Sequence, residues 1–468
     1  MGRLIIASNR TATPGEPKAG GLAVALWDAL TERGGGLWFG WSGEISEREH
    51  RGIRLSTEDA VEFALADLTE REHDGYYLGY ANRALWPVCH YRIDLARFDD
   101  EHFECYTQVN RRFGGLLHGL LRPGDEVWVH DYHFLLLGQE LRNAGWRGPI
   151  GFFLHIPFPA PEVFTALPQH QRIARGLAEF DLLGFQTVRD TRNFVRYMVE
   201  HHDATDLGDG RLEVFDRIIR TAAFPIGIDA AEIAYFATSE NGRSDASRLG
   251  KIIESRALVL GVDRMDYSKG LPQRLQAFGR LLDDHQDLCG HVTFVQIAPP
   301  SREDVGAYQD LREELDRLAG SINSSYSDLD WTPIRYLARG YPRETLAGLY
   351  RMARVGLVTP LYDGMNLVAK EYVAAQDPED PGVLVLSEFA GAAEQLGAAL
   401  IVNPYDITAM AEAIHRGLTM PKEERCARWR ELNEAVTRGD IGRWRRDFLA
   451  ALDAVGGGRP PLRGIRSA

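Results

Sequence analysis

The sequence predicts an α/β protein made of two doubly wound domains of mainly parallel sheet. Short β-branched runs bounded by Gly, Pro, Asn or Asp alternate with longer stretches of helical periodicity, the pattern of βαβ units. That alternation is interrupted by a small polar stretch and then restarts, which indicates two series rather than one. At 468 residues, with 44% hydrophobic and 26% charged side chains, the chain can bury two cores and is too apolar for disorder.

In the first series strands are expected at Leu4–Ser8, Glu126–His130, Ile150–His155 and Ile218–Phe224, each a compact apolar run suited to burial on both faces. Helical spacing lies between them at Asp131–Ala144 and Thr187–His201. The segment TSENGRSDAS at 238–247 reads as a surface loop near a domain change. In the second series strands are expected at Ala257–Val262, His291–Ile297, Pro333–Leu337, Val355–Thr359 and Val383–Ser387, with helices at Leu271–Asp284, Glu303–Ala319 and Arg343–Arg351. Domains are expected at 1–235 and 236–447, with a helix at about 440–456 crossing back to the first and a flexible tail at 457–468. Ligands of open α/β sheets lie beyond the carboxyl ends of the strands, so a cleft between two such domains facing one another is the expected site.

A net charge of −14 repels polyanions and excludes nucleic acid or an anionic membrane as a general partner. An anionic small substrate therefore needs locally concentrated Arg and Lys. Cys89, Cys105, Cys289 and Cys426 are widely spaced and form no CxxC pair, so neither a disulfide framework nor a zinc site is suggested. The opening MGRLIIASNR holds too short an apolar run for a signal or an anchor, and no stretch reaches about 18 apolar residues. The expectation is a soluble, cytoplasmic protein.

Five motifs carry candidate chemistry. The strand RLIIAS runs into Asn9-Arg10 and a loop reaching Gly20-Gly21-Leu22 before a helix, where free N–H groups can meet an anion. This is neither GxGxxG nor a Walker loop, so dehydrogenase and NTPase readings lose their usual support. VWVHDYHFLLL at 127–137 carries an apolar strand into His130, Asp131 and His133, which lack the open-site pattern of a catalytic zinc. GFFLHIPFP at 151–159 ends a strand in His155, and Pro157 and Pro159 stiffen the chain beyond it. GVDRMDYSKGL at 261–271 sets Arg264 and Lys269 in a loop after a strand, a forked donor and a point charge suited to a diphosphate, and Arg302 comes after another strand end. VGLVTPLYDGMNLVAKEYVAAQ at 355–376 leads from a strand through a Pro/Asp/Gly loop into a helix whose Glu371 can accept two ribose hydroxyls.

Taken together, SNR at 8–10, GGL at 20–22, LWFGWSG at 37–43, LWPVCHYR at 85–92, HDYH at 130–133, FFLHIPFP at 152–159, DRMDYSKG at 263–270 and DGMNLVAKEYVAAQ at 363–376 resemble the trehalose-6-phosphate synthase family, glycosyltransferase family 20. The resemblance runs in order from about residue 2 to residue 450. It implies a GT-B glycosyltransferase with two Rossmann-like domains, the first for the acceptor and the second for the nucleotide sugar. The activity implied is retaining transfer of glucose from UDP-glucose to glucose 6-phosphate, with no cofactor and no metal.

Carried over by position, the resemblance implies that Arg10, Tyr77 and Arg302 hold the acceptor phosphate and that Asp131 binds the acceptor sugar. Trp86 and Ile156 match positions linked to anomer selection. Gly20, Gly21, Arg264 and Lys269 are implied at the donor diphosphate, Tyr341 and Leu367, Val368, Ala369, Lys370 and Glu371 around the uridine, and His155 and Asp363 on the transferred glucose. His155, Asp363, Arg264 and Lys269 form the implied catalytic set, and a homo-oligomer, dimer or tetramer, is the family-level expectation. Tyr362 departs from the family, standing where the PLRDG form has Arg. The competing readings keep the fold and change the acceptor, as in a glucosylglycerol-phosphate synthase or a pseudo-glycosyltransferase, or keep binding and lose turnover, as in a sugar-phosphate sensor.

Overall fold

The computed structural model describes residues 2–12, 21–47, 52–253, 256–301 and 306–456. Its contacts divide the chain into two units, Met1–Phe224 with Trp444–Ala468, and Pro225–Arg443. The first expected boundary, at 235, falls later than this division. The reason is the Ala230–Thr238 helix, capped by the Asp229 carboxylate on the Glu232 N–H, which packs on the Arg343–Met352 and Leu367–Ala375 helices of the second unit.

The first unit is built on a ten-stranded sheet. Its central strands, Gly36–Ser46, Leu4–Arg10, Glu126–His130, Ile150–Phe153, Leu182–Phe185 and Arg217–Ala223, are parallel neighbours in that order. Val61–Thr69 continues the parallel run, and antiparallel strands at Arg54–Glu58, Arg211–Val214 and Thr205–Gly208 finish the two edges. Leu4 to Ala7 and Val127 to Val129 are wholly buried, as a parallel sheet covered on both faces requires.

The second unit carries a six-stranded, all-parallel sheet in the order Ile334–Leu337, Val292–Ile297, Ala257–Val262, Val355–Val358, Val383–Ser387 and Leu400–Val402. In chain order this is 3-2-1-4-5-6, the doubly wound arrangement with a switch point beyond the Ala257–Val262 and Val355–Val358 strands.

Three expectations are corrected. The segment 238–247 is not a loop: it closes the Ala230–Thr238 helix and opens a second one, Glu240–Ile253. Its small residues form a packing face, since a Cβ on Gly348 would lie 2.2 Å from the Gly242 carbonyl oxygen, and Thr345 donates to Asp245 at 2.6 Å. The helix expected at 131–144 begins later, at Leu137–Asn143, after a 3-10 turn at Tyr132–Phe134, because Asp131 takes φ = 75° and breaks the helical path. The Ile150 strand stops at Phe153 and leaves His155 beyond its end.

The C-terminal helix, Ile441–Gly456, lies on the first unit. Arg445 pairs with Asp28 at 2.8 Å and with Glu32, while Arg33 pairs with Glu126 and reaches Asp453 at 3.1 Å. These bonds strap it to the Gly21–Glu32 helix, and Phe448 stacks on Trp128 at 4.6 Å.

Candidate active site

In the first unit the candidate groups gather at the carboxyl edge of the sheet. Arg10 ends its strand exposed, with its guanidinium 5.9 Å from the Trp41 ring centroid. The approach depends on Gly43, at φ = 92°, where a Cβ would fall 2.6 Å from Arg10 Nη2. Trp41 faces Tyr77 at 5.5 Å, Tyr77 stacks on His133 at 5.7 Å, and His133 meets Tyr132 at 4.0 Å. Trp86 lies 5.7 Å from Tyr132 and stacks on His90 at 4.1 Å. A continuous aromatic wall thus links Arg10, Tyr77 and Trp86 beside Asp131.

Tyr77 sits on a π-helix, His73–Leu85, a rare wide geometry associated with functional sites. Asn82 closes it by donating to the Tyr77 carbonyl at 2.8 Å and accepting from the Tyr132 hydroxyl at 2.9 Å. Tyr76 beside it donates to Asn9 at 2.7 Å, tying the helix to the first strand. Asp131 accepts from the His155 backbone N–H at 3.2 Å, and His155 Nε2 lies 3.1 Å from His130 Nδ1. Burial pushes His155 down to about 3 and holds His130 well below the ordinary imidazole range, so both rings are neutral near pH 7. Ile156, the next residue in the chain, is buried.

In the second unit the groups surround the switch point. Lys269 pairs with Asp363, which also accepts from Asn366 Nδ2 at 3.1 Å. Asn366, at φ = 69°, bridges to Asp263 at 3.3 Å and precedes the Leu367–Ala375 helix, whose start has no side-chain cap and whose Ala369 N–H donates to the Asn366 carbonyl at 3.3 Å. Gly270 at φ = 66° turns the Lys269 loop into the Leu271–Asp284 helix, where a Cβ would strike the Thr359 carbonyl oxygen at 2.4 Å. Beneath the loop, fully buried Arg274 donates to the Lys269 carbonyl at 3.0 Å and to Thr359 at 3.1 Å, and pairs with Asp263 at 2.7 Å. Arg264 is exposed in the same loop, and Tyr341 accepts from Arg339 at 2.8 Å. Tyr362 stacks on Phe389 at 6.0 Å.

Glu371 lies within 3.4 Å of the Tyr350 hydroxyl, and burial raises its carboxyl above the ordinary range against the pull of Arg343. Lys370 plays a different part from its neighbours: its buried ammonium donates to the Ile226 carbonyl at 2.6 Å and to Gln395 at 2.7 Å, which leaves its backbone rather than its side chain for a ligand. Burial pushes Lys370 down to about 7. An unfolded lysine titrates near 10.5, so between about pH 7 and that value the unfolded chain holds a proton that the folded chain lacks, and stability rises with pH. Lys370→Met should flatten that rise, read as the difference in melting temperature between pH 7 and pH 9 for the two proteins. Equal slopes would show that Lys370 stays charged in the fold.

Gly21 begins the Gly21–Glu32 helix, while Gly20 and Arg302 lie outside the described residues. His130 and His133 of the HDYH motif do not converge: one turns to His155 and the other to Tyr77. Sequence reasoning did not single out Asn366, Asp263, Arg274 and Trp444, which the structure sets against candidate groups. Asn366 had a usable signal, since an Asn just before a helix tolerates positive φ, whereas Arg274 sits in LPQRLQAF and looks like an ordinary solvent-facing arginine.

Two parallel-sheet α/β units of this kind are the architecture of the GT-B glycosyltransferases. The model of glycosyltransferase family 20 matches residues 5–454, and the chain belongs to that family. It is 48% identical to the trehalose-6-phosphate synthase of Sinorhizobium fredii (strain NBRC 101917 / NGR234) over 97% of this chain and 99% of that one. An α,α-trehalose-phosphate synthase (UDP-forming) from Burkholderia xenovorans, solved in complex with glucose-6-phosphate, superposes with a TM-score of 0.92 at 49% identity, covering 96% of this chain and 100% of that one. The E. coli trehalose-6-phosphate structure bound with UDP-2-fluoro glucose superposes with a TM-score of 0.93 at 44% identity, covering 96% and 98%. Among the described residues no helix is long and apolar enough to cross a membrane.

Proposed function

We infer that the chain is a retaining glucosyltransferase that moves glucose from UDP-glucose to glucose 6-phosphate and yields α,α-trehalose 6-phosphate and UDP, a step of trehalose biosynthesis. The observation that carries this reading is the near-complete correspondence with UDP-forming synthases, one of them solved with glucose-6-phosphate. In the reaction the bond from the glucose anomeric carbon to the UDP oxygen breaks as the bond to the acceptor hydroxyl oxygen forms on the same face. The acceptor proton passes to the departing phosphate, so no enzyme nucleophile is required.

Catalysis then rests on positioning and on stabilising the leaving diphosphate. Lys269, Arg264, Gly20 and Gly21 are assigned to the diphosphate, and Tyr341 with Leu367 to Glu371 to the uridine. Asp363 and His155 hold the transferred glucose. Arg10, Tyr77 and Arg302 receive the acceptor phosphate and Asp131 its sugar, while Trp86 and Ile156 select the anomer. Support for these roles comes from the aromatic wall beside Arg10 and from the Lys269–Asp363 pair at the switch point of the second sheet. The reading includes a cytoplasmic location, where sugar phosphates and sugar nucleotides are kept, and a homo-oligomer whose size light scattering would measure.

The test is nucleotide release from UDP-glucose with glucose 6-phosphate, glycerol 3-phosphate or no acceptor, and then identification of the product. Release that needs glucose 6-phosphate and forms an α,α-linked disaccharide phosphate supports the reading; release with glycerol 3-phosphate instead reassigns the acceptor, and none with any acceptor points to a sensor. Within it, Arg10→Ala should raise the KM for glucose 6-phosphate on the order of tenfold to a hundredfold, because one charge-assisted contact is lost. An unchanged acceptor KM removes Arg10 from the phosphate site.

A further inference from the structure

We propose that Asn82 is a positioning residue that sets the span of the acceptor site, by tying the π-helix that carries Tyr77 to the turn that follows Asp131. The proposal rests on the reading that Tyr77 meets the acceptor phosphate and Asp131 its sugar, whereas the tie itself is made of hydrogen bonds whose direction the partners decide.

Asn82 is buried, and both ends of its amide are engaged. One end lies 2.8 Å from the Tyr77 carbonyl oxygen, which can only accept, so that end is the Nδ2 amino group. Oδ1 then faces the Tyr132 hydroxyl at 2.9 Å, and because an amide oxygen carries no proton the hydroxyl donates. Turning the amide over would set two acceptor oxygens 2.8 Å apart at Tyr77.

The contact to Tyr77 spans five residues, the step by which a π-helix closes its own backbone bonds. The Trp86 N–H ends the same helix on the Ala81 carbonyl by that step. A side chain that takes it too favours the wide turn over an α-turn at Tyr77. Relaxation to an α-turn would rotate the Tyr77 ring away from Trp41 and His133, which it meets at 5.5 Å and 5.7 Å.

At the other end, Tyr132 is a fixed point. Its carbonyl accepts from the Tyr106 hydroxyl at 2.8 Å, and the His133 carbonyl accepts from Asn110 Nδ2 at 3.1 Å. Both donors are buried residues of the Asp100–His118 helix. Asn82 therefore refers Tyr77 to a turn that the fold already holds, and Asp131 stands one residue before that turn. A ligand bound at two ends makes both contacts at full strength only where their separation matches its own. Without the tie, Tyr77 and Asp131 keep their chemistry but not their spacing, so acceptor affinity falls while UDP, assigned mainly to groups of the second unit, binds as before.

The experiment is calorimetric titration of the full-length protein with UDP, and with glucose 6-phosphate in the presence of UDP. Asn82→Asp keeps the side-chain shape and the acceptor for Tyr132 but sets a carboxylate oxygen against the Tyr77 carbonyl. It should weaken glucose 6-phosphate binding by about tenfold or more and leave UDP binding unchanged. Tyr132→Phe removes only a hydroxyl and should weaken the acceptor by a smaller factor. Added to Asn82→Leu it should cost nothing further, because the bond it breaks is already gone. Acceptor binding at wild-type strength in both Asn82→Asp and Tyr132→Phe overturns the proposal and leaves the functional reading intact. Equal weakening of UDP and glucose 6-phosphate makes Asn82 a packing residue and overturns it as well. Should Asn82→Asp fail to fold, Tyr132→Phe decides alone: a weakened acceptor beside unchanged UDP supports the tie, and wild-type binding of both removes it. A wild type that binds UDP and no glucose 6-phosphate overturns the functional reading and the proposal together.

Discussion

Lys269→Ala should slow turnover by about 10²–10³-fold at saturating donor, the scale seen when one preorganised group is taken from developing negative charge. Lys269 is buried, with its ammonium against Asp363, in a loop that Gly270 turns and Arg274 anchors from below. Water cannot readily replace it there. Its loss also breaks a buried ion pair, which by itself destabilises a fold by about 3–5 kcal/mol. The two effects separate in a double variant. Lys269→Ala with Asp363→Asn leaves no unpaired buried carboxylate, so the melting temperature should recover most of its loss while kcat stays low. Normal kcat in Lys269→Ala would remove Lys269 from the leaving diphosphate, and recovery of kcat together with stability would make its part purely structural.

The second unit was the more legible of the two. Ala257–Val262, Leu271–Asp284 and Val383–Ser387 stand where the sequence placed them, because short apolar runs between turn residues report a fully buried parallel strand well. In the first unit the strands Gly36–Ser46, Val61–Thr69 and Leu182–Phe185 went unread. Gly36, Gly40 and Gly43 interrupt the first of them, and those glycines answer to close backbone and side-chain approaches that only the fold reveals. The stretch 238–247 misled for a related reason: small polar residues serve equally for a loop and for a tight helix crossing.

The site divides along the same line. Groups at strand ends, such as Arg10, Asp131, His155 and Lys269, were legible as candidates because the carboxyl edge of a parallel sheet is where ligands bind. Groups that act from beneath were invisible. His130 stood in plain view within HDYH, but its approach to 3.1 Å from His155 is a property of packing and not of spacing. Lys370 shows the limit of position alone: its side chain is spent on Ile226 and Gln395, so only its backbone is left for the ligand proposed there.

Arg274→Met should destabilise the second unit by about 3–5 kcal/mol, because a nearly isosteric apolar side chain leaves the buried Asp263 carboxylate with the Asn366 amide but without its counter-charge. At about 2–4 °C per kcal/mol for a unit of this size, the melting temperature should fall on the order of 10 °C. One guanidinium here joins both strands of the switch point, through Asp263 after the Ala257–Val262 strand and Thr359 after the Val355–Val358 strand, and holds the Lys269 carbonyl as well. Lys cannot span three directions, so Arg274→Lys should keep the charge and still lose part of the stability. Because the anchored carbonyl belongs to Lys269, the donor KM should rise in both variants while the acceptor KM changes little. Thermal unfolding with and without UDP reads the first effect, and steady-state kinetics with each substrate varied reads the second. A melting temperature within a few degrees of wild type in Arg274→Met would mean that Asp263 finds another partner, and that the switch point is held by its backbone rather than by this one side chain.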